Sequence, residues 1–128
     1  MKVKTILVVD DEMSIINAVI RSFIMNDLHY QPLVCMDGYE ALEFMRTKDI
    51  DMVLLDIKMP NLDGMKVCEE VMADEKMKKI PILITSGNLV TSDREKLKSL
   101  GIQHFLDKPY NSSELFEKMK EILEAGVS

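Results

Sequence analysis

The feature that most constrains this chain is an alternation that repeats five times along its 128 residues. Apolar runs of strand length are each followed by a stretch with helical period. The runs predict strands at Thr5–Val9, Gln31–Cys35, Met52–Leu55, Ile82–Thr85 and His104–Leu106. The intervening stretches predict helices at Met13–Met25, Asp37–Arg46, Asp63–Met72, Ser92–Leu100 and Asn111–Leu123. In the last of these, Leu115, Phe116, Met119, Ile122 and Leu123 recur at helical spacing and mark one apolar face. Three helix starts carry a capping residue three before a glutamate: Asp37 with Glu40, Ser92 with Glu95, and Asn111 with Glu114. Gly101 follows Leu100, where a helix end favours a left-handed residue.

Strands alternating with helices build βαβ units, hence an α/β fold with a mainly parallel sheet and helices on both faces. With right-handed crossovers, five such strands are expected in the order 2-1-3-4-5. No repeat of solenoid period, low-complexity segment or linker interrupts the pattern, so residues 1–128 are expected to form one domain. No apolar run approaches the roughly 20 residues of a membrane span, so no membrane insertion is expected. The start meets acids too early for a secretion signal, and the expected location is cytoplasmic. A net charge of −6 argues against a direct nucleic-acid partner. Lys76-Met77-Lys78-Lys79 reads as a solvated loop, and Cys35 and Cys68 as reduced, partly buried thiols. His29 and His104 stand alone and read as surface or packing residues. The eleven methionines read as core filler, with Met65 and Met72 able to reach a docking surface.

Two of the apolar runs end in acid. Ile6-Leu7-Val8-Val9 meets Asp10-Asp11, and Met52-Val53-Leu54-Leu55 meets Asp56. An unpaired buried carboxylate is expensive, so these acids need a reason. In the order 2-1-3-4-5 the first and third strands are neighbours, and the switch point where open α/β sheets bind ligands lies between them. Asp10, Asp11 and Asp56 therefore converge at the mouth of that crevice. Like charges so close repel by about 3–4 kcal/mol per pair at an effective dielectric near 20. Oxygen donors without histidine or cysteine favour a hard cation, Mg²⁺ above all, and such an ion prefers a phosphate partner. Two further strand ends suit that chemistry: Thr85-Ser86-Gly87 brings hydroxyls and Lys108, before Pro109, brings an ammonium.

These residues resemble the receiver domain of two-component response regulators, with the flavodoxin-like fold of the chemotaxis regulator. The resemblance covers residues 4 to 124. The family's acidic pair resembles Asp10-Asp11, its D-x-x-M-P-x-x-x-G block Asp56 to Gly64 with Met59-Pro60, its hydroxyl step Ser86-Gly87, and its Lys-Pro pair Lys108-Pro109. The resemblance implies that Asp56 accepts a phosphoryl group from a histidine-kinase phosphohistidine or a phosphotransfer protein. It implies that Asp11, Asp56 and the Lys58 carbonyl hold Mg²⁺, with Asp10 acting mostly through water. Lys108 and Ser86 would contact the phosphoryl group, and Pro109 would follow a cis peptide. Phe105 would turn inward as Ser86 moves, repacking the face of the fourth and fifth helices for a downstream output partner. Lys58 and Asn88 occupy positions that modulate how long the phosphoryl group survives. Chemistry would be limited to self-phosphorylation and autodephosphorylation, so no enzyme in the strict sense is implied.

Rival classes fit less well. An aspartyl phosphatase wants D-x-D, and Asp56-Ile57-Lys58 has lysine there. A nucleotide-binding domain wants glycines after the first strand, where this chain has Asp10-Asp11-Glu12. A receiver-like interaction module that is never phosphorylated is at odds with so complete a site. Gln103 and His104 stand where many transcription-factor receivers carry an acidic pair, so their dimer through the fourth and fifth helices is not expected. The chain is read either as free-standing or as the N-terminal part of a longer regulator.

Overall fold

The computed structural model describes residues 3–25, 29–57 and 64–125. Five strands, β1 Lys4–Val9, β2 Tyr30–Cys35, β3 Met52–Asp56, β4 Ile82–Ser86 and β5 His104–Asp107, form one sheet. Every pairing is parallel and the order is β2-β1-β3-β4-β5, as the alternation predicts. Five helices cover it: α1 Met13–Met25, α2 Gly38–Thr47, α3 Gly64–Met72, α4 Thr91–Leu100 and α5 Ser112–Ala125.

Strand alternation splits the core in two. Leu7, Val9, Val53, Leu55, Ile82 and Ile84 point to the face carrying α2, α3 and α4. Ile6, Val8, Met52, Leu54 and Leu83 point to the face carrying α1 and α5. The central strands β1, β3 and β4 are apolar on both faces because both are covered. β2 is an edge strand with one partner, β1, and so tolerates Pro32, whose missing N–H would cost a ladder bond in a central strand. Each helix presents its buried residues at three- and four-residue spacing: Ile16, Val19 and Phe23 on α1, and Leu115, Met119 and Ile122 on α5. α4 is the exception, with Leu97 its one buried residue.

Two of the three capping expectations hold. The Glu40 N–H donates to Asp37 Oδ1 at 2.8 Å. Asn111 and Glu114 form a reciprocal box, with bonds of 2.8 Å and 3.2 Å. The third does not hold: α4 begins on Val90, without a side-chain cap, and Ser92 lies inside the first turn. The cap falls two residues before that signal, and the turn it opens carries exposed Thr91 and Ser92. Gly101 ends α4 at φ 107°, and the Gly101 and Ile102 N–H groups donate to the Lys98 and Leu97 carbonyls in a Schellman closure. The lysine cluster is a short 3₁₀ turn, Met77–Lys79, anchored by buried Met77 and not merely a solvated loop. Met65 is buried too, so it offers no docking surface, whereas Met13, Met25 and Met36 are exposed. Both cysteines are buried and neither forms a disulfide.

Strands β3, β4 and β5 each run one residue past the predicted segment, so Asp56, Ser86 and Asp107 belong to the ladder. These polar residues are thereby fixed by backbone pairing at the carboxyl edge of the sheet.

Candidate functional site

β1 and β3 are neighbours in register Val9 to Leu55, so Asp10 and Asp56 follow one paired rung. Both carboxylates are buried, at 3% and 5% exposure. On their strands they continue the series Ile6, Val8 and Met52, Leu54, which places them on the α1 and α5 side. Lys108, just beyond β5, follows Leu106 on that same side. Its ammonium donates to Asp10 Oδ2 at 3.1 Å and to Asp56 Oδ2 at 3.3 Å, with Glu12 Oε1 at 4.0 Å. The answer to two apolar runs that end in acid is therefore a shared, nearly buried counter-charge from the far end of the chain.

The electrostatics follow from that contact. Burial by itself would lower the Lys108 value, but the hydrogen bond and charge of Asp10, joined by Asp56, outweigh it and hold the ammonium above the ordinary lysine value. The phenol of Tyr110 is pushed up to about 12, first by burial and then by the negative field of Asp10 and Asp56. The Glu12 N–H donates to Asp10 Oδ1 at 3.0 Å, which fixes that carboxylate at the start of α1. The Lys108 N–H donates to the Ser86 carbonyl, and the Lys108–Pro109 peptide is cis.

Carboxylate oxygens of Asp10, Asp11, Glu12 and Asp56 lie within 4.8 Å of one another. The donors are all hard oxygens, the chemistry that fits Mg²⁺ and not a thiophilic metal. Glu12 is the member that the motif reading missed. Its signal was present, since it directly follows Asp10-Asp11, but an exposed acid before a helix is also an ordinary way to begin one.

The structure keeps the two hydroxyls apart. Thr85 donates to the Leu55 carbonyl at 3.5 Å and pairs in register with Asp56. The Ser86 hydroxyl accepts from the Asn88 N–H at 3.2 Å. Ser86 follows Ile82 and Ile84 on the α4 side, and Ile84 is the register partner of Phe105. Ser86 and half-buried Phe105 therefore share a face. Asp10, Asp56 and Lys108 meet in direct contact with Asp11 beside them, whereas Phe105 lies on the other side of the sheet. Lys58, Met59 and Pro60 lie outside the described residues. Gly64 opens α3 hard against the end of β3: a Cβ there would sit 2.6 Å from the Ile57 carbonyl oxygen.

A cavity of about 500 Å³ opens beside Lys108 between the N-terminal halves of α1 and α5, lined by Ile15, Ala18, Tyr110 and Leu115 among others. Of the acid-lysine cluster, Glu12 and Lys108 line it, whereas Asp10, Asp11 and Asp56 do not.

Comparison with known proteins agrees with this geometry. The family model of the response regulator receiver domain matches residues 6–120. The alkaline phosphatase synthesis transcriptional regulatory protein PhoP of Bacillus subtilis is 32% identical over 120 residues, covering 94% of this chain and 48% of that protein. The chain spans about half the length of the curated relatives it matches. Among solved structures, the chemotaxis response regulator CheY4 of Vibrio cholerae superposes with a TM-score of 0.84 at 26% identity, covering 95% of this chain and all of that one. The receiver domain of the sensor histidine kinase PA1611 of Pseudomonas aeruginosa, solved with a magnesium ion in its active site cleft, gives 0.83 at 26%, covering 94% and 98%.

With its fold, its acid-lysine cluster and these matches in agreement, the chain belongs to the receiver domains of two-component response regulators. The standard role of that family is to be phosphorylated by a histidine kinase. No helix among the described residues is long and apolar enough to cross a membrane.

Proposed function

We propose that this chain is a phosphoacceptor switch in which Asp56 takes a phosphoryl group from the phosphohistidine of a sensor kinase or phosphotransfer protein. The observation that carries the reading is the contact of Lys108 with Asp10 and Asp56 at the sheet's switch point. The Asp56 carboxylate attacks phosphorus, an O–P bond forms as the N–P bond to the donor histidine breaks, and the imidazole leaves with the electron pair. The product is an acyl phosphate with roughly two negative charges. Lys108, already at the site, turns its N–H donors from the carboxylate to the phosphoryl oxygens.

Asp11 and Asp56, with Asp10 behind them and the Lys58 carbonyl as a further donor, are the groups that would hold Mg²⁺. Bound there, the ion would neutralise charge on the phosphoryl oxygens during transfer. The all-oxygen donor set supports this assignment.

Ser86 supplies the conformational readout. In this reading its hydroxyl leaves the Asn88 N–H for a phosphoryl oxygen, and Phe105, on the same face, turns inward into the space given up. The face of α4, β5 and α5 then repacks for a downstream partner, a local charge event biasing a two-state element. The chain acts on no substrate beyond its own phosphorylation and dephosphorylation. A net charge of −6 supports a protein partner over nucleic acid, and two buried cysteines without a disulfide are compatible with the cytoplasm.

The test is intact mass after incubation with Mg²⁺ and phosphoramidate. A gain of one phosphoryl group, about 80 Da from phosphate chemistry, that needs Mg²⁺ and is absent in Asp56→Asn is expected. A gain that persists in Asp56→Asn would assign the acceptor elsewhere.

A further inference from the structure

The α4 surface over β5 carries contacts that the phosphoryl site does not use. Arg94 Nη2 lies 3.2 Å from Asp107 Oδ1, and its guanidinium carbon is 4.6 Å from the centroid of the Phe105 ring. Lys98, one turn further along α4, places its ammonium 6.0 Å from the same centroid. Phe105 and Asp107 are two apart on β5, so they lie on one side of the strand and a single guanidinium spans both. A planar cation over an aromatic face is attracted by the ring quadrupole, and the carboxylate fixes the guanidinium in place.

We infer that Arg94 is a positioning residue for the switch: tethered by Asp107, it holds Phe105 half-buried and so favours the unphosphorylated arrangement. The inference rests on the reading of Asp56 and Phe105 given above. Turning the ring inward withdraws it from both cations, so phosphorylation works against that attraction. α4 makes the effect felt, because Leu97 is its one buried residue and its first turn lacks a side-chain cap. The contacts of Arg94 add to the seating that Leu97 and partly buried Leu100 give α4. By reciprocity, whatever holds the ring in this place disfavours phosphorylation by the same factor. A cation–π contact at a partly exposed site supports a population shift of about two- to fivefold.

The experiment uses the whole chain and two readouts. The first is the rate of phosphoryl gain from phosphoramidate and Mg²⁺, followed by intact mass. The second is fluorine NMR of protein labelled with para-fluorophenylalanine, which has four such rings, with Phe105 assigned through Phe105→Leu. The solvent isotope shift of that resonance reports ring exposure. Arg94→Met removes the charge and keeps an apolar stem, Arg94→Lys keeps a charge, and Asp107→Asn cuts the tether. Expected are a rate about two- to fivefold higher and a less exposed ring in Arg94→Met, the same direction in Asp107→Asn, and no gain from Arg94→Met in the Phe105→Leu background. Arg94→Lys, which keeps a charge but not the planar fork, should show a smaller change in the same direction. A ring that becomes more exposed at an unchanged rate would mean that Arg94 merely covers it, and overturns the inference. An equal gain without Phe105 overturns it as well. Should the unmodified chain take no phosphoryl group while Arg94→Met still buries the ring, the phosphoacceptor reading fails and the positioning role of Arg94 stands.

Discussion

Replacing Lys108 by methionine keeps most of the apolar stem and removes the ammonium that two buried carboxylates share. Each contact, at 3.1 and 3.3 Å, has a gross Coulomb attraction of about 5 kcal/mol at an effective dielectric near 20. Much of that offsets desolvation, so it is not a net stability. What matters is what the variant leaves behind: Asp10 and Asp56, at 3% and 5% exposure, without the charge of Lys108. Removing one partner from a buried ion pair costs about 3–5 kcal/mol. Their oxygens, within 4.8 Å of each other, add repulsion of similar sign. Urea denaturation at neutral pH without divalent ions should show Lys108→Met less stable by about 3–5 kcal/mol with an unchanged m-value. Because the ammonium occupies the same carboxylates that would hold Mg²⁺, added Mg²⁺ should restore more stability to the variant than it gives the unmodified chain. A hundredfold excess over Kd adds about 2.7 kcal/mol. A loss below about 1 kcal/mol, the range of an exposed pair, would refute the argument that Lys108 is the essential counter-charge.

Other outcomes follow from the same geometry. Gly64→Ala places a methyl 2.6 Å from the Ile57 carbonyl oxygen and 2.8 Å from its Cα, so backbone must shift; a loss of about 1–3 kcal/mol in denaturation is expected. Asn111→Ala removes the side-chain acceptor of the Glu114 N–H at the start of α5, while the backbone N–H at 111 can still donate to Glu114; a cost of about 1 kcal/mol is expected in the same assay. Burial, aided by Glu40 and Asp37, pushes the Cys35 thiol up to about 12. A raised thiol favours the folded state fully below its ordinary value near 9, and that stability falls as pH rises toward about 12. Cys35→Ala should therefore flatten the alkaline limb of a stability–pH curve, and an unchanged limb would show that Cys35 does not control it.

The sheet order was legible because its determinants are local. Apolar runs mark strands, parallel pairing demands crossovers, and crossover handedness leaves few orders. The acids of the site were legible for a related reason: polar residues ending core-like runs must sit at an edge. Strand ends were read one residue short at Asp56, Ser86 and Asp107, because hydrophobicity stops at the first polar side chain whereas backbone pairing does not. The start of α4 was misread because Ser92 and Glu95 look like a cap, whereas the helix begins two residues earlier, on Val90, with no side-chain cap. Nothing in the sequence showed that Lys108 would bridge Asp10, 98 positions away, or that Arg94 would lie over Phe105. Those contacts depend on the register of β4 with β5 and on where the helices settle.

The most direct measurement locates the phosphoryl group. After incubation with Mg²⁺ and phosphoramidate, borohydride reduces an acyl phosphate to an alcohol, converting a phosphorylated aspartate to homoserine that peptide mass mapping can place. Homoserine at Asp56, with Asp10, Asp11 and Glu12 unchanged, is the predicted result. Homoserine at any of those three with Asp56 untouched would contradict the assignment of the phosphoacceptor.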